Sequence, residues 1–165
     1  MKRTLNAERL RELLHYDPDT GVFTRRIKTA LSSRMGEIVG SVNQRGYLVT
    51  SIDHRLYRLH RLAWLYVHGL WPVAEIDHID GNPKNNRIAN LRDVSRPVNT
   101  QNMRRPTKRN TAGFLGVSWK KRQQRWVAQI SVFGKTRFIG YFDSADAAHA
   151  AYLGAKRALH PGCTI

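Results

Sequence analysis

Between Ile76 and Asn102 the chain runs IDHIDGNPKNNRIANLRDVSRPVNTQN, a pattern that few folds accommodate. A polar, glycine-bearing loop from Gly81 to Arg87 separates two short extended runs. Ser95-Arg96-Pro97 then opens a helix, since proline is tolerated in a first helical turn where its missing N–H has no partner anyway. Within this frame Asp77 adjoins His78, Asn90 follows twelve residues after the histidine, and Asn99 nine further on. Asn99 is expected about one turn inside the helix, facing back toward Asp77 and His78. A carboxylate, an imidazole and two amides converging in this way suit one divalent cation and one general base.

The stretch resembles the HNH nucleases, in whose ββα-metal fold a first histidine sits on a strand, a middle asparagine on the loop or second strand, and a third residue on the helix. The match runs through Asp77-His78, Asn90 and Asn99 within DHIDGNPKNNRIANLR, with asparagine in the third place, as in many phage and intron-encoded homing endonucleases. LHRLAW upstream is a further trait of that subgroup. The resemblance implies His78 as general base, with Asn90 helping to orient the histidine or the scissile phosphate. It implies Asp77 and Asn99 as oxygen ligands of one Mg²⁺ per site. An unperturbed imidazole titrates near about 6.5 and is largely neutral base at cellular pH. Mg²⁺ takes few protein ligands and keeps its waters. Adjacent Asp77 and His78 should point to opposite faces of a strand, so either a bulge or an approach from the strand end is required. Asp80 and Asn82, beside Gly81, suit turn chemistry better than metal binding.

Charge bears on the partner. The chain has 28 Lys plus Arg against 12 Asp plus Glu, a net charge of +16 and a pI near 10.9. Between Val94 and Phe142 stand eleven basic residues and no acidic one, which points to a polyanion, nucleic acid first. One cysteine, Cys163, excludes a disulfide framework and a cysteine-based zinc site. No apolar run reaches the length of a membrane span, and MKRTLNAERLRELL is a poor secretory signal. A cytoplasmic protein, acting inside the host cell of a phage or mobile element, is the expectation.

Upstream, Leu5, Leu10, Leu13 and Leu14 recur at helical spacing, with Asn6 as N-cap and Asp17 to Gly21 as stop and turn. Val22 to Ile27, Ile38 to Val42, Tyr47 to Ile52 and Leu56 to Leu59 read as strands, with a loop at Lys28 to Gly36 and turns at Asn43 to Gly46 and Asp53-His54. His60 to Gly69 reads as a helix with Leu62, Trp64, Leu65 and Tyr66 on its apolar face and Gly69 as its stop. His60 is a possible functional residue or a structural one. Arg87 and Arg92 either reach phosphates or are solvated.

Downstream, MRRPTKRNTA has the composition of a linker, whose Arg104, Arg105, Lys108 and Arg109 suit phosphates. Gly116 to Trp119, Trp126 to Val132 and Lys135 to Phe142 alternate like three strands. Ser144 caps a helix with Ala148, Ala151, Tyr152, Ala155 and Leu159 on one stripe. GVSW, RWVAQI, FIGYFDSADAAHAAY and KRALHPG resemble the APETALA2/ERF DNA-binding domain, whose three-stranded sheet enters the major groove. The resemblance makes Lys120, Arg122, Arg125, Gln129 and Arg137 candidate DNA contacts. Leu115 and Ser118 replace two arginines of that family, so its base preference does not carry over. Trp119, Trp126, Phe138 and Phe142 serve as core or as stacking groups.

The expected fold class is α+β. Residues 1–59 form an N-terminal helix and strand region, 60–102 the nuclease core, 103–112 a basic linker, and 113–165 a sheet of three antiparallel strands on one helix. The expected activity is metal-dependent hydrolysis of phosphodiesters in double-stranded DNA, leaving 5′-phosphate and 3′-hydroxyl ends, with no membrane or protein partner implied. The alternatives are a non-catalytic DNA-binding regulator on the same scaffold and an RNA-processing nuclease. Truncation at Met103 is expected to weaken binding more than it damages the active site.

Overall fold

A computed structural model describes residues 5–28, 33–107 and 110–165. Lys108, Arg109 and residues 29–32 of the expected loop lie outside them. The chain forms two compact units that divide between Val94 and Ser95. The segment 60–102, expected as one core, is therefore shared between units, its last helix belonging to the second.

The first unit opens with helix α1 (Ala7–Leu13), where the Asn6 side chain accepts from the Arg9 N–H at 2.9 Å. The helix is shorter than its apolar spacing suggests. Leu14 leaves it to begin strand β1 (Leu14–Asp17), paired antiparallel with β2 (Val22–Arg25). The reason is packing: extended backbone sends Leu14 and Tyr16 to one face, and both are buried. The Asp17 carboxylate accepts from the N–H groups of Asp19 and Thr20 and sets the intervening turn.

The expected strand Ile38 to Val42 serves two sheets. Strand β3 (Ile38–Val39) pairs with β2, and β4 (Ser41–Val42) pairs with β5 (Leu48–Ile52), which pairs in turn with β6 (Arg55–Arg58). The break falls at Gly40, where an added Cβ would come within 2.9 Å of the Leu59 side chain. Asp53 and His54 both take positive φ, as the tight turn between β5 and β6 demands.

Helix α2 (Leu59–His68) buries Leu59, Leu62, Ala63 and Leu65, the spacing of one helical face, and also His60. Trp64 and Tyr66 are only partly buried against the same core. Gly69 ends the helix in the left-handed region. The core joins α1, the first hairpin and α2 through Leu10, Leu13, Tyr16, Phe23, Leu62 and Leu65. Each fully buried aliphatic side chain there contributes roughly 1.5–3 kcal/mol. Against it lies a two-stranded ribbon of β7 (Glu75–His78) and β8 (Leu91–Val94), with Ile76 and Leu91 facing the core.

The second unit starts with helix α3 (Arg96–Gln101), with Ser95 at its N-cap position and Pro97 in its first turn. Strands β9 (Val117–Lys120), β10 (Arg125–Val132) and β11 (Lys135–Phe142) form an antiparallel sheet in the order β11-β10-β9. Register shifts at Ala128/Gln129, so Ala128 faces Gly140 while Gln129 faces Phe138. Val117, Ala128, Ile130 and Val132 pack on Ala148 and Tyr152 of helix α4 (Ala145–Leu159), which Ser144 caps by accepting from the Ala147 N–H. Lys156, on α4, is buried and donates to the Met103 carbonyl.

The start of the expected linker is thus no free connector. Arg104 donates to the Thr164 carbonyl and hydroxyl, and the Thr164 hydroxyl donates to Asn102. The Gly162 N–H donates to Gln101 Oε1 at 3.0 Å, holding the C-terminal tail against α3.

Candidate active site

His78 is the last residue of β7, and its neighbours come from three separate segments. Helix α2 supplies His60, whose ring meets that of His78 edge to face with centroids 5.0 Å apart. The turn before β5 supplies Tyr47, with ring centroids 5.2 Å from His60 and 6.0 Å from His78. The loop after β7 supplies Asn86, whose Oδ1 lies 3.2 Å from His78 Nε2. His60, His78 and Asn86 are all buried. Burial pushes the His78 imidazole below its usual range against the opposing pull of the Asn86 hydrogen bond and the charges of Asp80 and Asp77. Burial also takes His60 down to about 3, helped by the cationic neighbourhood of His78, Arg58 and Arg61. Burial thus favours the neutral form of both rings.

The β7–β8 register is regular through Asp77 and His78. The bulge that would reconcile these neighbours is absent. Asp77 sits opposite Arg92 on β8, and its Oδ2 accepts from Arg92 Nε at 2.9 Å and from the terminal guanidinium nitrogen at 2.7 Å. Arg92 is therefore neither solvated nor free for phosphate: it neutralises a buried carboxylate. The sequence motif left this partner out.

Asn90 closes the loop between the strands. Its amide nitrogen donates to Asp80 Oδ1 and to the Asn85 carbonyl, and its Oδ1 accepts from the Asp80 N–H, each at 2.9 Å. The Asn90 carbonyl accepts from the Ile79 N–H immediately after His78. Its link toward His78 is thus a backbone one, through the next residue. Asp80 and Asn82 set the turn, accepting from the N–H groups of Asn82 and Lys84. Burial pushes the Asp80 carboxyl up, but hydrogen bonds from Asn82, Asn85 and Asn90 outweigh it and hold it low. Arg87 is exposed.

Asn99 is half-buried on α3, in the second unit. As donors for a hard cation, the Asp77 carboxylate and the Asn99 amide have fitting oxygen chemistry. Among the described residues there is no group of three or more His, Cys, Asp and Glu able to hold a metal.

Asn86 is the residue that sequence reasoning missed. It is one of several polar residues in the loop, and only its burial sets it apart. The N-terminal hairpin creates that burial: the Tyr16 hydroxyl donates to the Asn86 carbonyl at 2.7 Å, and the Ile88 N–H donates to the Pro18 carbonyl at 3.3 Å. Gly21 packs so closely that an added Cβ would lie 2.4 Å from the Arg87 nitrogen, and its φ of +75° suits glycine.

The candidate DNA contacts of the second unit divide by strand face. Lys120 pairs with Arg125 across β9–β10, and with Gln129 they alternate away from the residues packed on α4. Arg125 also pairs with Asp143 at 2.9 Å. Arg122 lies in the β9–β10 turn, and Arg137 faces Ile130 yet is exposed. Arg105 is exposed. Trp126 and Phe142 pack partly buried on the core, whereas Trp119 and Phe138 stay 44% and 55% exposed and available for contacts.

Residues 57–101 match the family model described as HNH endonuclease, and β7, the following loop, β8 and α3 fall within the matched segment. The chain is 40% identical over 79 residues to Protein 3.8 of Escherichia phage T7; the match takes in 47% of this chain and 64% of that protein. It thus spans less than two thirds of the relative's length. A solved structure described as DNA binding and cleavage by the HNH homing endonuclease I-HmuI is similar over 91% of this chain and 88% of its own, at 23% identity and a TM-score of 0.42. Among the described residues no helix is long and apolar enough to cross a membrane.

Proposed function

We propose that the chain is a metal-dependent endonuclease that hydrolyses phosphodiester bonds in duplex DNA, of the kind carried by phages and mobile elements. The observation that carries this reading is His78: a buried, neutral imidazole beside Asp77, inside the segment that matches the HNH family. A neutral imidazole takes the proton of the attacking water. The rings of buried His60 and half-buried Tyr47 flank the His78 imidazole. Asn90 fixes the loop that leaves the histidine, so the ring meets the substrate from a set position.

Asp77 and Asn99 are the residues that would hold the divalent cation, most simply Mg²⁺. When bound, the cation supplies charge neutralisation for the phosphorane and for the departing 3′ oxygen. Products with 5′-phosphate and 3′-hydroxyl ends follow from that direction of attack.

The second unit, in this reading, is an APETALA2/ERF-like module that holds the enzyme on DNA through Lys120, Arg122, Gln129 and Arg137, with Arg104 and Arg105 near phosphates. In the first unit, Arg55, Arg58 and Arg61 line an open groove of about 690 Å³ with Tyr57 and Trp71, and they add positive surface on the nuclease side.

One observation favours the rival, a DNA-binding protein that does not cut: the Asp77 carboxylate is already paired with Arg92. Nicking of supercoiled plasmid separates the two. The endonuclease reading expects Mg²⁺-dependent, EDTA-sensitive nicking that His78→Ala abolishes while DNA affinity stays within about twofold. Full nicking by that variant sinks the base assignment, and no nicking by the native protein with any divalent metal sinks the enzyme.

A further inference from the structure

We infer that Asn86 is a positioning residue for His78: its side-chain oxygen holds the imidazole in the tautomer protonated on Nε2, with the Nδ1 lone pair as proton acceptor, and the N-terminal hairpin holds Asn86. This rests on the reading of His78 as the general base.

The tautomer of a histidine is set by the partner of one ring nitrogen. One ring partner here is the Asn86 amide oxygen, 3.2 Å from Nε2; an oxygen only accepts, so this orientation calls for the proton on Nε2. An amide turned the other way would donate to Nε2 and move the proton to Nδ1, the opposite assignment. Asn86 is 1% exposed, and the rings of His60 and Tyr47 lie beside His78.

A packing role alone does not account for asparagine here. Its Nδ2 is buried with no hydrogen-bond partner, so the residue keeps a costly orphaned donor for the sake of its oxygen. A purely apolar side chain at this position would leave no donor orphaned. The chain also places Asn86 with care. Its carbonyl accepts from Tyr16, seventy residues earlier, and the close approach of Gly21 fixes the backbone that follows. The first hairpin thereby acquires a role in the chemistry: it locates the residue that orients the base.

The test uses the full chain labelled with ¹⁵N. Long-range ¹H–¹⁵N correlations, with His78 identified by its loss in His78→Gln, should show the Nε2–H form; the Nδ1–H form overturns the proposal. Asn86→Leu should lower kcat about 10–100-fold with DNA affinity unchanged and a mixed His78 tautomer. Asn86→Asp keeps an acceptor without the amide donor, and should retain the tautomer and most of the activity. Equal losses in the two variants, or native activity in Asn86→Leu, count against it. Should Asn86→Leu fail to fold, the native tautomer and the Asp variant still decide. If His78→Ala cuts normally while the Nε2–H form is found, the nuclease assignment of His78 fails and the placement of its proton by Asn86 stands.

Discussion

At His60 the energetics of the site can be read separately from its chemistry. The ring is 3% exposed and its Nδ1 has no hydrogen-bond partner, so protonation in the folded state is strongly disfavoured. Its pKa falls to about 3, against roughly 6.5 in an unfolded chain. Between those values the unfolded state binds the proton and the folded state does not, so stability is complete above the unfolded value and declines as pH falls. From pH 7 to pH 4 the loss from this one group is at most roughly 3 kcal/mol. His60→Phe removes the titration and keeps a ring beside Tyr47 and His78. Its unfolding free energy, measured against native by denaturant titration, should depend less on pH over that range. Equal slopes for the two proteins would show that His60 does not stay neutral. The comparison is needed because Asp80, held low by Asn82, Asn85 and Asn90, also loses its hydrogen-bond advantage in acid.

Among the elements, what was legible in the sequence and what was not divides by the distance over which each is decided. Strands β10 and β11 and helix α4 follow from alternation, the Phe133-Gly134 turn and the Ser144 cap, all local signals. The helical pattern of Leu10, Leu13 and Leu14 misleads by one element, because Leu14 and Tyr16 satisfy the core equally well as a strand once β2 is there to pair. Asp77, His78, Asn90 and Asn99 were visible as a motif, but Asn86 acquires meaning only through a hairpin some seventy positions away. Helix α3 is the sharpest case. Its six residues cannot be stable alone, since isolated helices shorter than about 12 residues are marginal in water. The C-terminal tail supplies the support: Gly162 lies where an added Cβ would sit 2.3 Å from the Val98 carbonyl, and its N–H bonds Gln101. Truncation at Met103 therefore also removes the support of the helix that carries Asn99, alongside the expected weakening of binding. Gly162→Val should release the tail, at a cost of roughly 1–3 kcal/mol. Hydrogen exchange at residues 98–102 should speed up while the amides of β1 and β2 keep their protection. Unchanged exchange in α3 would mean that the tail does not hold it.

For the whole molecule, the question is how a net charge of +16 divides between holding DNA and cutting it. Basic residues that already serve the fold cannot be counted twice. Arg92 neutralises Asp77, Lys156 is buried against the Met103 carbonyl, Arg125 pairs with Asp143, and Arg61 donates to the Ala74 carbonyl. Lys120, Arg122 and Arg137 remain exposed on the second unit, within a stretch that has no acidic residue before Asp143. If these three meet phosphates, each contributes counterion release, and the slope of log affinity against log salt changes by about 0.9 per contact. The triple variant Lys120→Gln, Arg122→Gln, Arg137→Gln should bind duplex DNA more weakly at low salt, with a slope shallower by roughly two to three. Saturating DNA should restore cleavage to near the native rate, because the three belong to the second unit and His78 to the first. A slope equal to the native one would remove the second unit from the DNA interface. A rate that stays low at saturation would instead give these residues a part in placing the scissile phosphate.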